Sequence, residues 1–146
     1  MNPQEFVLRL GAALVVVFGV VVWLGSNPAT VGLPAFFGDL IFWPLDGLQT
    51  STTQEAHLLS AIGGGIMVGW GLMLWALAGE GLRIAPAFAK RAILTSVWAW
   101  FLVDSLGSVL AGAPLNLIGN LVFLGLLTMP FTRFFETPRA ATSEPG

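Results

Sequence analysis

FVLRLGAALVVVFGVVVWLG, residues 6–25, holds one ionisable side chain, Arg9, and nothing polar after it. The hydrocarbon core of a bilayer takes about 20 consecutive apolar residues of helix, so this stretch predicts a membrane span. Three more stretches meet the same requirement: 56–78 (AHLLSAIGGGIMVGWGLMLWALA), 92–111 (AILTSVWAWFLVDSLGSVLA) and 115–131 (LNLIGNLVFLGLLTMPF). An arginine before an apolar run also suits a secretory signal peptide. Here the run is long for such a segment and no A-x-A site follows Gly25, so it reads as a retained span.

The composition of the whole chain agrees. Of 146 residues, 55% are hydrophobic and only 10% charged, with a mean hydropathy of +0.83. A soluble domain carries about 25% charged residues, and this chain lacks the polar surface to coat a water-soluble globule. One membrane domain over residues 1–132 is expected, followed by a polar, flexible cytoplasmic tail over 133–146. There is no cysteine, hence no disulfide framework and no thiolate site. Six Lys and Arg with a net charge of −2 exclude a basic nucleic-acid-binding surface.

The basic residues also orient the spans. Arg9 precedes the bulk of span one, Arg83, Lys90 and Arg91 fall between spans two and three, and Arg133 and Arg139 follow span four. The connectors 26–55 and 112–114 contain none. Basic residues stay on the cytoplasmic side, which puts both termini and the basic loop 79–91 inside. Four spans return the chain to its starting side, in agreement. The expected fold is all-α: a polytopic integral membrane four-helix bundle with both termini cytoplasmic.

The long first external connector includes LPAFFGDLIFWPLDG, residues 33–47. Phe36, Phe37, Leu40 and Ile41 share one face of a short helix, Asp39 falls off that stripe, and Pro44 should end the turn. This predicts an interfacial helix, with a lid over the outer mouth of the bundle as the functional alternative. Thr52 and Glu55 have the spacing of a capping box for span two. Pro114 suits the first turn of span four.

Ionisable groups inside a membrane are costly and therefore functional candidates. Asp104 is the deepest, about seven residues or 10 Å below the outer end of span three. At similar depth lie His57 and Ser60 on span two, Ser108 one turn from Asp104, and Asn116 and Asn120 on span four. These six are the candidate ligand-binding residues of one outer-leaflet polar pocket. Each also has a structural alternative: Asp104 as hydrogen-bonded glue between helices, Asn116 as a helix cap, His57 as a group at the headgroup boundary. A buried unpaired carboxylate is expensive, so Asp104 should face the bundle interior and hold a partner among His57, Asn120 and Ser108. Gly64, Gly65 and Gly69 are candidate helix-packing positions, Gly65-x-x-x-Gly69 having the spacing for close approach, either within the chain or in a homodimer.

A single His with one deep carboxylate makes no metal site. No catalytic motif such as G-x-S-x-G or H-E-x-x-H occurs, and no cofactor is specified. Three function classes remain. The first is a non-catalytic membrane component that binds a lipid-like or quinone-like molecule, or serves as a small subunit of a larger complex. The second is a transporter or proton-conducting protein using Asp104, and the third an enzyme with an Asp104–His57 acid–base pair.

The run EAHLLSAIGGGIMVGWGLML, residues 55–74, resembles the second helix of small DoxX-like four-helix bacterial membrane proteins, with a polar start followed by glycines. DSLGSVLAGAPLNLIGN, residues 104–120, is similar to members whose third helix ends in small residues and a Gly-x-Pro turn. The resemblance implies a bacterial cytoplasmic membrane and an association with quinone-linked redox systems. It places no catalytic residue here, and the long first connector departs from the family's compact pattern.

Overall fold

Pro3 occupies the first turn of helix α1 (Pro3–Leu24), where a missing N–H costs nothing, and Asn2 caps it by accepting from the Glu5 amide at 2.7 Å. The computed structural model describes residues 1–50 and 52–132; the tail expected over 133–146 lies outside the described residues. Valine-rich α1 has modest intrinsic helix propensity, but in hydrocarbon a helix is the way one segment satisfies its own backbone. Four more helices follow: α2 (Gly32–Phe42), α3 (Gln54–Ala76), α4 (Pro86–Leu110) and α5 (Asn116–Thr128). The described residues form no strand.

Three of these helices, α1, α3 with its extension to Ile84, and α4, are long and apolar enough to cross a membrane. Together with their exposed leucines, valines and tryptophans, they mark a membrane-embedded protein. The fourth expected span is shorter. α5 and its terminal 3₁₀ turn cover Asn116–Phe131, about 24 Å at 1.5 Å per residue.

Two local expectations change. The 79–91 segment is helical over most of its length: α3 runs into a π-helical turn, Leu77–Gly81, and a last turn, Leu82–Ile84, so only Ala85 separates it from Pro86 of α4. The cap of α3 is Thr53, not Thr52. Its hydroxyl accepts from the Ala56 amide at 3.1 Å, which leaves Glu55 in the first turn as a dipole partner and not as half of a capping box.

Antiparallel α1 and α3 make the closest pair, α4 and α5 the next, and α5 also leans on α1. Small residues set the α1–α3 contact. A Cβ added to Gly64 would lie 2.5 Å from the Trp23 nitrogen and 2.6 Å from the Gly19 carbonyl oxygen. One added to Gly71 would lie 3.0 Å from the Ala12 carbonyl oxygen. Gly64 and Gly71 are seven residues apart, the repeat that keeps one seam of a helix facing its partner. Gly65 and Gly69 do not share that seam within the chain, since a Cβ at either meets nothing within 4 Å. One residue of helix turns the side chain by about 100°, which carries Gly65 off the face of Gly64. Toward the end of the bundle that holds the 77–86 connection, Ala12, Val15, Leu74, Ile93, Val97 and Leu127 form the buried core.

α2 leans on α1 through Phe37, whose ring meets Phe18 edge-on at 5.6 Å. Phe36 and Leu40 of the expected stripe are exposed, and Asp39 is the buried residue of this helix. Its carboxylate accepts from the backbone amides of Gly47 at 2.7 Å and Gln49 at 3.4 Å. Asp39 thereby folds the return loop against its own helix.

Candidate functional site

Asp104 and Ser108 sit one turn apart on α4, as Asn116 and Asn120 do on α5, so each pair shares a helix face. The tight 111–115 turn brings the two faces together. The Asn120 amide donates to Asp104 Oδ2 at 2.5 Å and to Ser105 Oγ at 3.1 Å. The Asn116 amide donates to the same Oδ2 at 3.1 Å and to Ser108 Oγ at 2.8 Å. A carboxyl oxygen that receives two N–H donors acts as an acceptor, so Asp104 Oδ2 fixes which way both amides turn. Asn120 is 4% exposed and Ser105 9%, while Asp104, Ser108 and Asn116 are half-buried. Asn116 does not act as a helix cap; its side chain makes no capping bond.

The remaining two candidates lie elsewhere. His57 Nδ1 is 2.6 Å from the Gly25 carbonyl oxygen. That oxygen can only accept, so Nδ1 carries the proton and donates to a carbonyl that the end of α1 leaves unpaired. Ser60 packs on the same glycine: a Cβ added to Gly25 would sit 2.8 Å from Ser60 Oγ. His57 and Gly64 are seven residues apart, as are Gly64 and Gly71, so His57 lies at one end of the α1–α3 seam. The six side chains thus divide into an α4–α5 group and an α1–α3 group, and no hydrogen bond among the described residues joins them.

Ser105 was missing from the candidate set, although it adjoins Asp104 in sequence; its turn of 100° from Asp104 hides its shared partner. Arg9 also has a place beyond orientation. It pairs with Glu5 at 2.9 Å, and its guanidinium carbon lies 5.1 Å from the centre of the Trp75 ring. It also packs on Gly79 within the π-helical turn. Its Nε is the one buried side-chain polar atom without a partner among the described residues.

One turn further along α5 from Asn120 is Phe123. Its ring lies 6.2 Å from both Trp100 of α4 and Phe18 of α1. It lines an open, wholly apolar groove of about 190 Å³ walled by Leu14, Val17, Phe18 and Val21 of α1, Phe37 of α2, and Val122 and Leu126 of α5. Polar group and groove therefore share one helix and are separated by a single turn. Among the described residues there is no group of three or more His, Cys, Asp or Glu able to hold a metal ion. No family model, curated protein or solved structure matches the chain.

Proposed function

We propose that this chain is a four-span protein of a bacterial cytoplasmic membrane that binds a lipid-like or quinone-like amphiphile without transforming it. In this reading the head sits at the Asp104–Asn116–Asn120 group in the outer half, and part of the tail lies in the groove below. The observation that carries it is that a hydrogen-bonded polar group and an apolar groove lie within one turn of each other along α5, Asn120 belonging to the first and Phe123 to the second. Pockets for small molecules combine these parts, a mostly apolar wall with a few convergent polar groups.

The other classes have less support. An Asp104–His57 acid–base pair needs the two side chains within hydrogen-bond reach, whereas His57 is engaged with Gly25 on another helix pair. A proton path needs polar groups through the inner half, where the core is Ala12, Val15, Leu74, Ile93, Val97 and Leu127. α5 serves as the fourth span although it is short, since a short span is accommodated by local thinning of the bilayer. Both termini then share the side of Arg83, Lys90 and Arg91.

The test is extraction. Protein purified in mild detergent is washed, and bound amphiphiles are identified by mass spectrometry. Val122→Trp fills the groove from a half-open position without touching the polar group. The wild-type chain should carry a stoichiometric amphiphile that this variant loses while keeping its melting temperature. Equal, sub-stoichiometric bulk lipid in both would end the proposal.

A further inference from the structure

We infer that the head taken by the α4–α5 polar group carries hydrogen-bond donors, a hydroxyl or an ammonium, and is not anionic. The inference rests on the binding reading above and narrows its ligand: a quinone head offers only acceptors, so of the quinone-like molecules only the reduced, hydroxyl-bearing form fits. It follows from an inventory of donors and acceptors.

Each amide NH₂ has two hydrogens, and all four are engaged. Those of Asn116 go to Asp104 and Ser108, and those of Asn120 to Asp104 and Ser105. Both bonds to the carboxylate fall on Oδ2. No donor among the described residues reaches Asp104 Oδ1 or the amide oxygens of Asn116 and Asn120. Nor are these oxygens sealed in the interior, since the one fully buried side-chain atom without a partner is Arg9 Nε, at another place in the fold. What the group offers a ligand is three acceptors, one of them on a carboxylate. Its unengaged donors are the two serine hydroxyl hydrogens, and a helical serine has a carbonyl of its own preceding turn within reach.

A phosphate or carboxylate head would meet the opposite of what it needs. It would bring acceptors to a group whose free side-chain oxygens are themselves acceptors, and no cation among the described residues stands beside them. Lys90 is on the same helix as Asp104 but fourteen residues away, about 21 Å along the axis. Arg9 is held by Glu5 and Trp75. A hydroxyl or ammonium donates to Oδ1 directly, and hydrogen bonds to a charged acceptor are the stronger kind.

Chain-matched lipids give the test. The full chain is placed in phosphatidylcholine nanodiscs containing equal, small fractions of dioleoylglycerol and dioleoylphosphatidic acid, which differ by a phosphate on the same hydroxyl. Bound lipid is counted by native mass spectrometry, and oleylamine in a parallel sample reports the ammonium case. Dioleoylglycerol or oleylamine should be retained over phosphatidic acid by about tenfold or more, the ratio that one charge-assisted hydrogen bond supports. In Asp104→Asn, the new carbonyl oxygen keeps the two amide donors and the new NH₂ replaces Oδ1. The preference should then shrink to within about twofold or invert, because an acceptor has become a donor. Equal retention of all probes by the wild type, lost in Val122→Trp, would overturn the head assignment and leave amphiphile binding standing. Preference for phosphatidic acid would overturn the head assignment as well. Retention of no probe above the carrier lipid would overturn the head assignment, while the extraction experiment above decides the binding reading on its own.

Discussion

Gly64→Ala adds one methyl group where α1 and α3 touch backbone to backbone. The new Cβ would lie 2.5 Å from the Trp23 nitrogen, 2.6 Å from the Gly19 oxygen and 2.7 Å from the Trp23 Cα, whereas ordinary contact begins at 3.4 Å. All three are main-chain atoms of a regular helix, so no rotamer change relieves the overlap. The helices must separate locally by about the 0.9 Å difference between 3.4 and 2.5 Å. A gap of roughly 0.5–1 Å forfeits a quarter to a half of the dispersion energy of each contact it opens, and overpacked interfaces typically lose about 1–3 kcal/mol. We expect about 2 kcal/mol at this crossing. Gly65→Ala is the control: its Cβ meets nothing within 4 Å, and it replaces the weaker helix former by the best one. Melting temperatures in one mild detergent should fall by several degrees for Gly64→Ala and stay level or rise for Gly65→Ala. Equal shifts for the two variants would refute the seam, and a larger loss for Gly65→Ala would move the packing face to the four-residue glycine spacing.

Three further outcomes follow from other contacts. Gly79→Ala should push the Arg9 guanidinium off Trp75, since its Cβ would collide with the end of that side chain. Its cost should therefore vanish in an Arg9→Ala background, a double-mutant cycle measured by thermal melts, with a coupling of about 0.5–2 kcal/mol. Asp39→Ala removes the acceptor for the Gly47 and Gln49 amides. It should raise hydrogen exchange or protease cutting over 43–50 while leaving the melting of the spans within about 1 kcal/mol, and an unchanged loop would show that Asp39 does not hold it. Single cysteines replacing Thr50 and Ala87 in this cysteine-free chain should react with an impermeant thiol reagent from opposite faces of the membrane. Labelling of both from one face would sink the four-span arrangement.

The spans were legible because composition alone reports hydrocarbon: nothing but a membrane suits α1. The meeting of Asp104 with Asn116 and Asn120 was legible too, from residue counts along two helices joined by a short turn. Azimuth was harder to read. His57 lies on the seam that also carries Gly64 and Gly71, and a seven-residue spacing is less conspicuous in a glycine-rich run than the adjacent Gly65-x-x-x-Gly69. The same difficulty hid Asp39, which is off the apolar stripe of α2 because it faces its own return loop. The end of α3 was misread for another reason. Gly79, Gly81 and the charges around them look like a loop, but Arg9 packs against Gly79 and the chain stays helical as a π turn, a form often found where a helix carries a local constraint.

α5 depends on the polar group for its attachment to α4. It is the short helix, and within it only Asn120 and Leu127 are buried. Apolar burial gives little association between helices already in lipid, so the four amide bonds of Asn116 and Asn120 fasten α5 to α4. That work falls on Asp104 Oδ2 and the two serines, and no donor among the described residues reaches Oδ1, the oxygen that the proposed reading gives to a ligand. Two substitutions separate the roles. Asp104→Leu deletes the shared acceptor and strands one hydrogen on each amide, a loss of about 1–3 kcal/mol per unsatisfied buried group. Asp104→Asn keeps an oxygen in the place of Oδ2 and should change the melting temperature little. If Asp104→Asn proves as destabilising as Asp104→Leu, both carboxylate oxygens are structural, and no acceptor remains there to recognise a head.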